Sequence, residues 1–514
     1  MQNGKKGIVN VLTAILNQVI TLALGIVIPR LVLINLGSEA NGLMSSVNTV
    51  LTYVSLLEAG VGTASLVALY TPVALNDRQQ VNAILAATDI FYRRTGRWYF
   101  VAVAIMTVAF PLSIESTLPV WQIMAVTFLS GMPGVISYYF QGKYQILLRA
   151  EGKSYILTTL ATIIHTCTSI SKIALLICGC DIVVLQCMYM IFNLIQVAAI
   201  ISYIKKRYGW IDLRVKPNFE AISQSKNVLV HQVSTLIFTN TDTLILTYCC
   251  GLKMVSVYGM YTLLFGMIST AIGNFGGANF ILGQTYDTDR PRFLRLLDVY
   301  EIFNMVLTFS LFCIANMFIL PFIELYTSGV TDISYVDNYL PYLFIATYLL
   351  SNGRNSSLQV INYAGHFRLT QWRSILESTI NIVASLACVF KFGIYGVLLG
   401  TIAALLYRTN DMIIYANKKI LHRSPWKTYR RWLVNLALFI MVTMLSKLVF
   451  SHIALDTYPR IILWAAIACV IVIPLFFAVA SIFDRETYRY AKELLSPHLK
   501  RVWNKLRGHA QTEE

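Results

Sequence analysis

The chain has 514 residues, of which 56% are hydrophobic and only 13% are charged. A soluble domain carries about a quarter charged residues, so this composition excludes a soluble globular protein and indicates an integral membrane protein. The net charge of +16 is spread over short loops between apolar segments, which argues against a nucleic-acid-binding protein.

Apolar segments of about 20 residues, long enough to cross the hydrocarbon core, recur along the whole chain. We predict an all-α polytopic membrane protein with fourteen transmembrane helices. Many spans contain Gly, Pro, Asn, Ser or Thr, which are tolerated where neighbouring helices or a water-lined cavity satisfy the backbone. The predicted spans start near residues 8, 42, 98, 119, 155, 181, 227, 255, 300, 338, 374, 394, 432 and 460.

The loops between the predicted spans alternate in charge. Every second loop, counted from the N-terminus, is basic, and these loops and the two termini contain 33 of the 41 Lys and Arg residues. Basic loops stay on the cytoplasmic side of a membrane. We therefore expect both termini in the cytoplasm and the following uncharged or acidic loops outside: 35–41, 113–119, 179–181 and 326–337.

Two stretches of the chain resemble each other at an offset of 212 residues. Asp77-Arg78 matches Asp289-Arg290, and Asp89 matches Glu301. An internal repeat is typical of transporters and predicts two pseudo-symmetric six-helix lobes with a V-shaped cleft. The predicted domains are an N-lobe at 1–206, a cytoplasmic linker at 207–226, a C-lobe at 227–420, spans thirteen and fourteen on the periphery at 421–484, and a basic cytoplasmic tail at 485–514.

Motifs for enzymatic chemistry are absent from the sequence. It contains no P-loop, no H-E-x-x-H and no G-x-S-x-G, which excludes an ATPase and the commonest hydrolases. A membrane-bound polysaccharide polymerase would need larger outer loops than the chain offers. We expect a protein that is not an enzyme and has no cofactor apart from a coupling ion.

Three stretches resemble the polysaccharide flippases of the O-antigen and capsule (Wzx-like) type, within the MOP superfamily that also contains the MATE exporters. The longest is AGHFRLTQWRSILESTINIVASL followed by FGIYGVLLGTIAALLYRT. Asn41 stands where the family usually has an aromatic residue. The other two stretches match the family at Pro29, Leu36, Gly37 and Gly42, and at Asp242, Gly251 and Tyr258.

The resemblance implies an alternating-access flippase. Such a protein carries an undecaprenyl-pyrophosphate-linked oligosaccharide from the inner to the outer leaflet of the bacterial cytoplasmic membrane, driven by a Na⁺ or H⁺ gradient. The expected partners are this lipid-linked oligosaccharide, membrane lipids and other polysaccharide assembly proteins, and the protein is expected to be a monomer. A MATE-type antiporter of drugs and organic cations and a lipid II flippase are the alternatives.

A pyrophosphate or an acidic sugar needs cations in the membrane-embedded part of the protein. The predicted substrate-binding residues are Arg30, Glu58, Lys172 and Arg354. Lys172 lies deep in span five, whereas Arg30 could instead extend to the membrane surface. For two other basic residues we favour a structural interpretation: Arg408 forms an ion pair with Asp411, and Lys447 reaches the interface.

Asp242 lies within an apolar span, where a carboxylate costs about 2.5–3.5 kcal/mol. In some superfamily flippases a Na⁺ ion is held by an Asp on the seventh helix and by oxygen ligands on the eleventh and twelfth. Carried over to this chain, the coupling site would comprise Asp242, Glu377, Asn381 and Thr401, with the order of acid and amide reversed. The alternative is a structural network in which Asp242 is hydrogen-bonded by Thr239, Asn240 or Thr243 of its own helix.

Overall fold

The computed structural model describes residues 2–58, 61–222, 226–274, 278–450 and 453–494, with the side chains of 2–23, 226–232, 274, 278–280 and 367–368 excepted. Over these residues the chain is helical with connecting turns, and it contains no β-strand. This confirms the predicted all-α fold class. Most of the predicted basic tail at 485–514 lies outside the described residues.

The helices follow one another with short connections. They are α1 (Gln2–Val54), α2 (Val61–Ala74), α3 (Arg78–Ser113), α4 (Val120–Ile136), α5 (Gly142–Ala150), α6 (Ser154–Ile177), α7 (Ile182–Arg207), α8 (Lys226–Cys249), α9 (Leu252–Asn274), α10 (Ala278–Thr288), α11 (Arg290–Tyr326), α12 (Leu340–Gly353), α13 (Asn355–Tyr363), α14 (Phe367–Phe392), α15 (Ile394–Tyr415), α16 (Trp426–Phe450) and α17 (Tyr458–Phe483).

Ten helical spans among the described residues are long and apolar enough to cross a membrane, and a bent pair, 24–58 with 61–74, makes eleven. The number fourteen therefore stays a prediction. The predicted starts near 8 and 42 both fall in α1, which is broken at Gly37 (φ 82°, ψ 175°). The start near 338 corresponds to α12, which ends after 14 residues and is followed by α13.

The chain forms two compact units. The first contains Met1–Met260, Thr327–Tyr335 and Ser374–Gly400, and the second contains Tyr261–Tyr326, Val336–Arg373 and Thr401–Glu514. A core of the first unit includes Leu43, Val47, Tyr99, Val126 and Leu252. Because these units are not the predicted lobes at 1–206 and 227–420, the two-lobe arrangement stays a prediction.

Helices α3 and α11 begin in the same way, at positions 212 residues apart. Asp77 accepts a hydrogen bond from the backbone N–H of Gln80 (3.0 Å), and Asp289 accepts one from the N–H of Arg292 (3.1 Å). An Asp at this position satisfies N–H groups that lack an intrahelical partner. One turn of chain pattern thus specifies the same helix start in both halves, as an internal repeat requires.

The matched acids farther along these helices are both buried and ion-paired. Asp89 pairs with Lys143 and, at 3.0 Å, with Arg93. Glu301 is 1% exposed and pairs with Arg423 and Arg431. A buried carboxylate requires a partner because burial alone is costly, and both halves provide one at the same register.

Arg431 is the centre of an ion-pair cluster within the second unit that connects α11, α16 and the end of α17. Its guanidinium lies 2.5 Å from Glu301, 3.0 Å from Asp298 and 2.6 Å from Asp484. Removing one partner of a buried pair costs about 3–5 kcal/mol, because a charge is left uncompensated. We therefore expect Arg431→Leu to lower the thermal unfolding temperature strongly in detergent.

The matched control is Arg460→Leu. Arg460 forms an exposed pair with Asp456, and exposed pairs contribute at most about 1 kcal/mol. Equal unfolding temperatures for the Arg431 variant and the unmodified protein would contradict the structural role of the cluster.

Gly42, one of the motif glycines, marks the close approach of α1 to the start of α9. A Cβ atom added at Gly42 would lie 1.9 Å from the carbonyl oxygen of Leu252. Forcing atoms into a packed contact costs about 1–3 kcal/mol, so Gly42→Ala should lower the unfolding temperature by several degrees. Gly209→Ala is the control, because an added Cβ there has no neighbour within 4 Å; equal effects of the two substitutions would refute this account.

Candidate functional site

Asp242 lies on α8 within the first unit and is 4% exposed. Its Oδ2 accepts a hydrogen bond from the hydroxyl of Tyr258 on α9 (3.1 Å), and its Oδ1 accepts one from the Nδ2 of Asn381 on α14 (3.3 Å). Three helices that are distant in sequence therefore meet at this carboxylate. The structure brings together two of the predicted coupling residues, Asp242 and Asn381.

The neighbours of Asp242 along its own helix donate elsewhere. Thr239 donates to the carbonyl of Thr235 (2.9 Å), and the amide of Asn240 donates to the carbonyl of Leu236 (3.0 Å). Such bonds to the preceding turn are usual for polar side chains inside a helix. The contacts from Tyr258 and Asn381 thus come from other helices, unlike the capping by Thr239 or Asn240 that sequence reasoning offered as the alternative.

Glu377 and Thr401 complete the predicted coupling set. Glu377 is 6% exposed and lies on α14, one turn before Asn381 in the first unit. Thr401 is 4% exposed, lies on α15 and belongs to the second unit. The participation of Glu377 and Thr401 stays a prediction.

The donor set around Asp242 suits a hard cation. Carboxylate and amide oxygens bind Na⁺ better than softer metals do. No group of three or more His, Cys, Asp or Glu side chains that could hold a metal occurs in the described part of the chain. When bound, a cation here would neutralise the carboxylate of Asp242, and Asn381 would turn its amide oxygen toward it.

Lys172 lies on α6, half-buried within a membrane-spanning segment. Its ammonium lies 5.0 Å from the ring centre of Tyr189 on α7. Among the residues that the structure describes, it forms no ion pair with Asp or Glu. An aromatic face stabilises a cation only modestly, so this lysine keeps a full positive charge available at membrane depth.

Two basic residues behave as the structural interpretation predicted. Arg408 is 3% exposed and lies 2.7 Å from Asp411, which also lies 2.5 Å from Arg373; the predicted ion pair is confirmed. Lys447 is exposed and lies 5.5 Å from the ring centre of Tyr342, in agreement with a side chain that reaches the membrane surface.

The remaining predicted substrate-binding residues lie in three separate places. Glu58, in the 3₁₀ segment after α1, accepts a hydrogen bond of 2.6 Å from the hydroxyl of Tyr92 on α3. Arg30 lies on α1, with its guanidinium 3.5 Å from the hydroxyl of Ser328. Arg354 forms the turn between α12 and α13, where a polar interruption was predicted. Their binding roles stay predictions.

Sequence reasoning missed the two tyrosines that donate to membrane-embedded carboxylates. Tyr258 was noted only as a motif residue, and Tyr92 was not singled out. Both hydroxyls lie on a different helix from the acid they contact. A hydrogen bond between distant helices leaves no local spacing in the sequence, so no signal could have identified Tyr92.

No protein-family model and no curated protein matches the sequence. Three solved structures are similar at 14% identity. The lipid II flippase MurJ in an inward closed conformation covers 93% of this chain and 99% of its own (TM-score 0.65). An inward-facing multidrug resistance MATE family transporter of the MOP superfamily covers 79% and 95% (TM-score 0.63). A second MATE multidrug transporter, DinF-BH, covers 80% and 95% (TM-score 0.54). This integral membrane protein therefore has the fold of the MOP-superfamily transporters.

Proposed function

We propose that the protein is an alternating-access flippase that moves an undecaprenyl-pyrophosphate-linked oligosaccharide from the inner to the outer leaflet for polysaccharide export. The observation that carries the proposal is Lys172. It combines membrane depth, partial burial and the lack of an acidic partner among the described residues.

A lysine at membrane depth costs about 2.5–3.5 kcal/mol. Arg408 and Lys143 offset that cost with a carboxylate in each case. Lys172 has only the ring of Tyr189, which is enough to orient the ammonium but not to neutralise it. An anionic ligand, such as the pyrophosphate of a lipid carrier, would supply the missing charge.

The comparison with known structures supports a lipid-linked substrate. A flippase structure covers 93% of this chain, whereas two MATE structures cover 79% and 80%. The lipid II flippase is for this reason the second candidate, and it shares the polyprenyl-pyrophosphate chemistry. A MATE-type cation antiporter is the third, because Asp242 and Glu58 could attract an organic cation.

The energy source in this proposal is a Na⁺ or H⁺ gradient acting at Asp242. Loss of a cation or proton would change the charge next to Tyr258 and Asn381, and such a change can shift a conformational equilibrium only if the two states bind the ion differently. The proposed location is the bacterial cytoplasmic membrane with both termini inside. The protein would act as a monomer beside other polysaccharide assembly proteins.

Deleting the gene in the cell that encodes it tests the proposal. We expect loss of surface polysaccharide and accumulation of the lipid-linked precursor, with unchanged retention of a cationic dye. Increased dye retention with normal surface polysaccharide would support the antiporter instead. A block in cell-wall synthesis with lipid II accumulation would support the second candidate.

A further inference from the structure

Helix α1 is interrupted at Gly37, on the side of the membrane predicted to face outward. Its backbone lies at φ 82° and ψ 175°, a conformation that side chains disfavour. The helix resumes at Ser38, so the N–H of Ser38 lies at a helix start and has no partner in the preceding turn. Ser38 itself is 0% exposed.

A loop almost 300 residues farther along the chain provides the missing partner. One carboxylate oxygen of Asp332 accepts the N–H of Ser38 (3.0 Å), and the other accepts its hydroxyl (2.8 Å). A negative charge at a helix N-terminus is favourable because the helix dipole is positive there. Asp332 therefore caps the second segment of α1 from outside the helix.

A relay of hydrogen bonds extends this contact. Tyr335, 2% exposed, donates to the hydroxyl of Ser38 (2.7 Å) and contacts the hydroxyl of Ser256 (2.7 Å), to which Asn41 donates (2.7 Å). With Tyr335 donating to Ser38, every hydroxyl can donate once, and the series ends at the carboxylate of Asp332. Such series strengthen their members mutually.

The loop at 327–335 belongs to the first unit, whereas the helices before and after it, α11 and α12, belong to the second. A second outer loop also contacts α1 at this break: Ser116 donates to Glu39 (2.8 Å). That loop connects α3 and α4, which both belong to the first unit. The two loops therefore differ in what they would hold in place if α11 and α12 moved during transport.

We propose that the contact of Asp332 and Tyr335 with Ser38 is an external latch. The latch is closed in this conformation, and it opens once in every transport cycle so that the substrate can leave on the outer side. The proposal rests on the proposed alternating-access function and on the predicted orientation of the loops. Hydrogen bonds of this kind have a modest net strength because water replaces them, so they can open repeatedly.

A disulfide tests the latch. In a chain whose nine cysteines are replaced by serine, Ser38→Cys is combined with Asp332→Cys, and the control combines Glu39→Cys with Ser116→Cys. Oxidation of the first pair should reduce saccharide transport more than tenfold, with recovery after reduction. Oxidation of the control pair should leave transport within twofold. Normal transport by the oxidised first pair, or equal loss in both, would overturn the latch.

A second measurement does not depend on the substrate. A cysteine introduced by Ser256→Cys is buried at the end of the relay, and its labelling by a membrane-impermeant maleimide reports opening. We expect Asp332→Asn to raise the labelling rate at least threefold, while the exposed reporter Thr331→Cys keeps its rate. An unchanged rate for the Ser256 reporter would refute the latch. If labelling rises but the reduced control pair carries no saccharide, the proposed substrate is wrong and the latch stands.

Discussion

Lys172→Ala is expected to reduce flipping of a pyrophosphate-linked saccharide by about ten- to a hundredfold. A hydrogen bond to a charged group contributes about 1.5–3 kcal/mol, and each 1.4 kcal/mol is a factor of ten. Lys172 has no acidic partner among the described residues, so removing it leaves no buried carboxylate behind and should not destabilise the protein. The measurement is the initial flipping rate at equal amounts of protein in the membrane.

Two variants serve as controls for Lys172. Lys447 also lies near an aromatic ring, but it is exposed, so Lys447→Ala should flip normally. Lys172→Arg keeps the positive charge and should retain much of the activity. Full activity of Lys172→Ala, or an equal loss in the Lys447 variant, would show that the charge of Lys172 does not contact the substrate.

Asp242→Asn is expected to abolish the dependence of transport on Na⁺ or on pH. The substitution removes the only group in this contact that can change charge, while Tyr258 and Asn381 can still form hydrogen bonds. Because a ligand drives a conformational change only through its different affinity for two states, transport against a gradient should fall to the passive level. The measurement is the flipping rate with and without an imposed Na⁺ or pH gradient.

Nearby positions separate coupling from packing. Thr239 donates to a carbonyl of its own helix, so Thr239→Ala should keep normal gradient dependence. Tyr258→Phe removes one donor and should shift the ion concentration that gives half-maximal transport. If Asp242→Asn responds to the gradient as the unmodified protein does, the contact of Asp242 with Tyr258 and Asn381 is structural only.

The long apolar segments predicted most of the helices, because burial in lipid demands about 20 hydrophobic residues in a row. Their ends were not predictable in the same way. Helix α3 begins at Arg78, although the predicted span begins near 98, because its first turns are rich in polar residues and are specified by the cap at Asp77. A hydropathy pattern detects the membrane, and a cap detects the helix.

The candidate site was only partly accessible from the sequence. The meeting of Asp242 with Asn381 followed from a resemblance to known flippases. The contacts of Tyr92 with Glu58 and of Asp332 with Ser38 depend on packing between residues 34 and 294 positions apart. Neither contact has a local pattern, and Gly37, with its left-handed backbone, was the single nearby signal.

The most direct measurement uses the purified full chain in proteoliposomes with a fluorescent short-chain polyprenyl-pyrophosphate saccharide and an imposed cation gradient. The fraction of label that becomes accessible on the opposite leaflet is followed in time, beside a neutral glycolipid with the same sugar and chain. We predict fast flipping of the pyrophosphate-linked saccharide, dependent on Lys172, and background rates for the neutral glycolipid. Equal rates for the two lipids, or no protein-dependent flipping of either, would contradict the account.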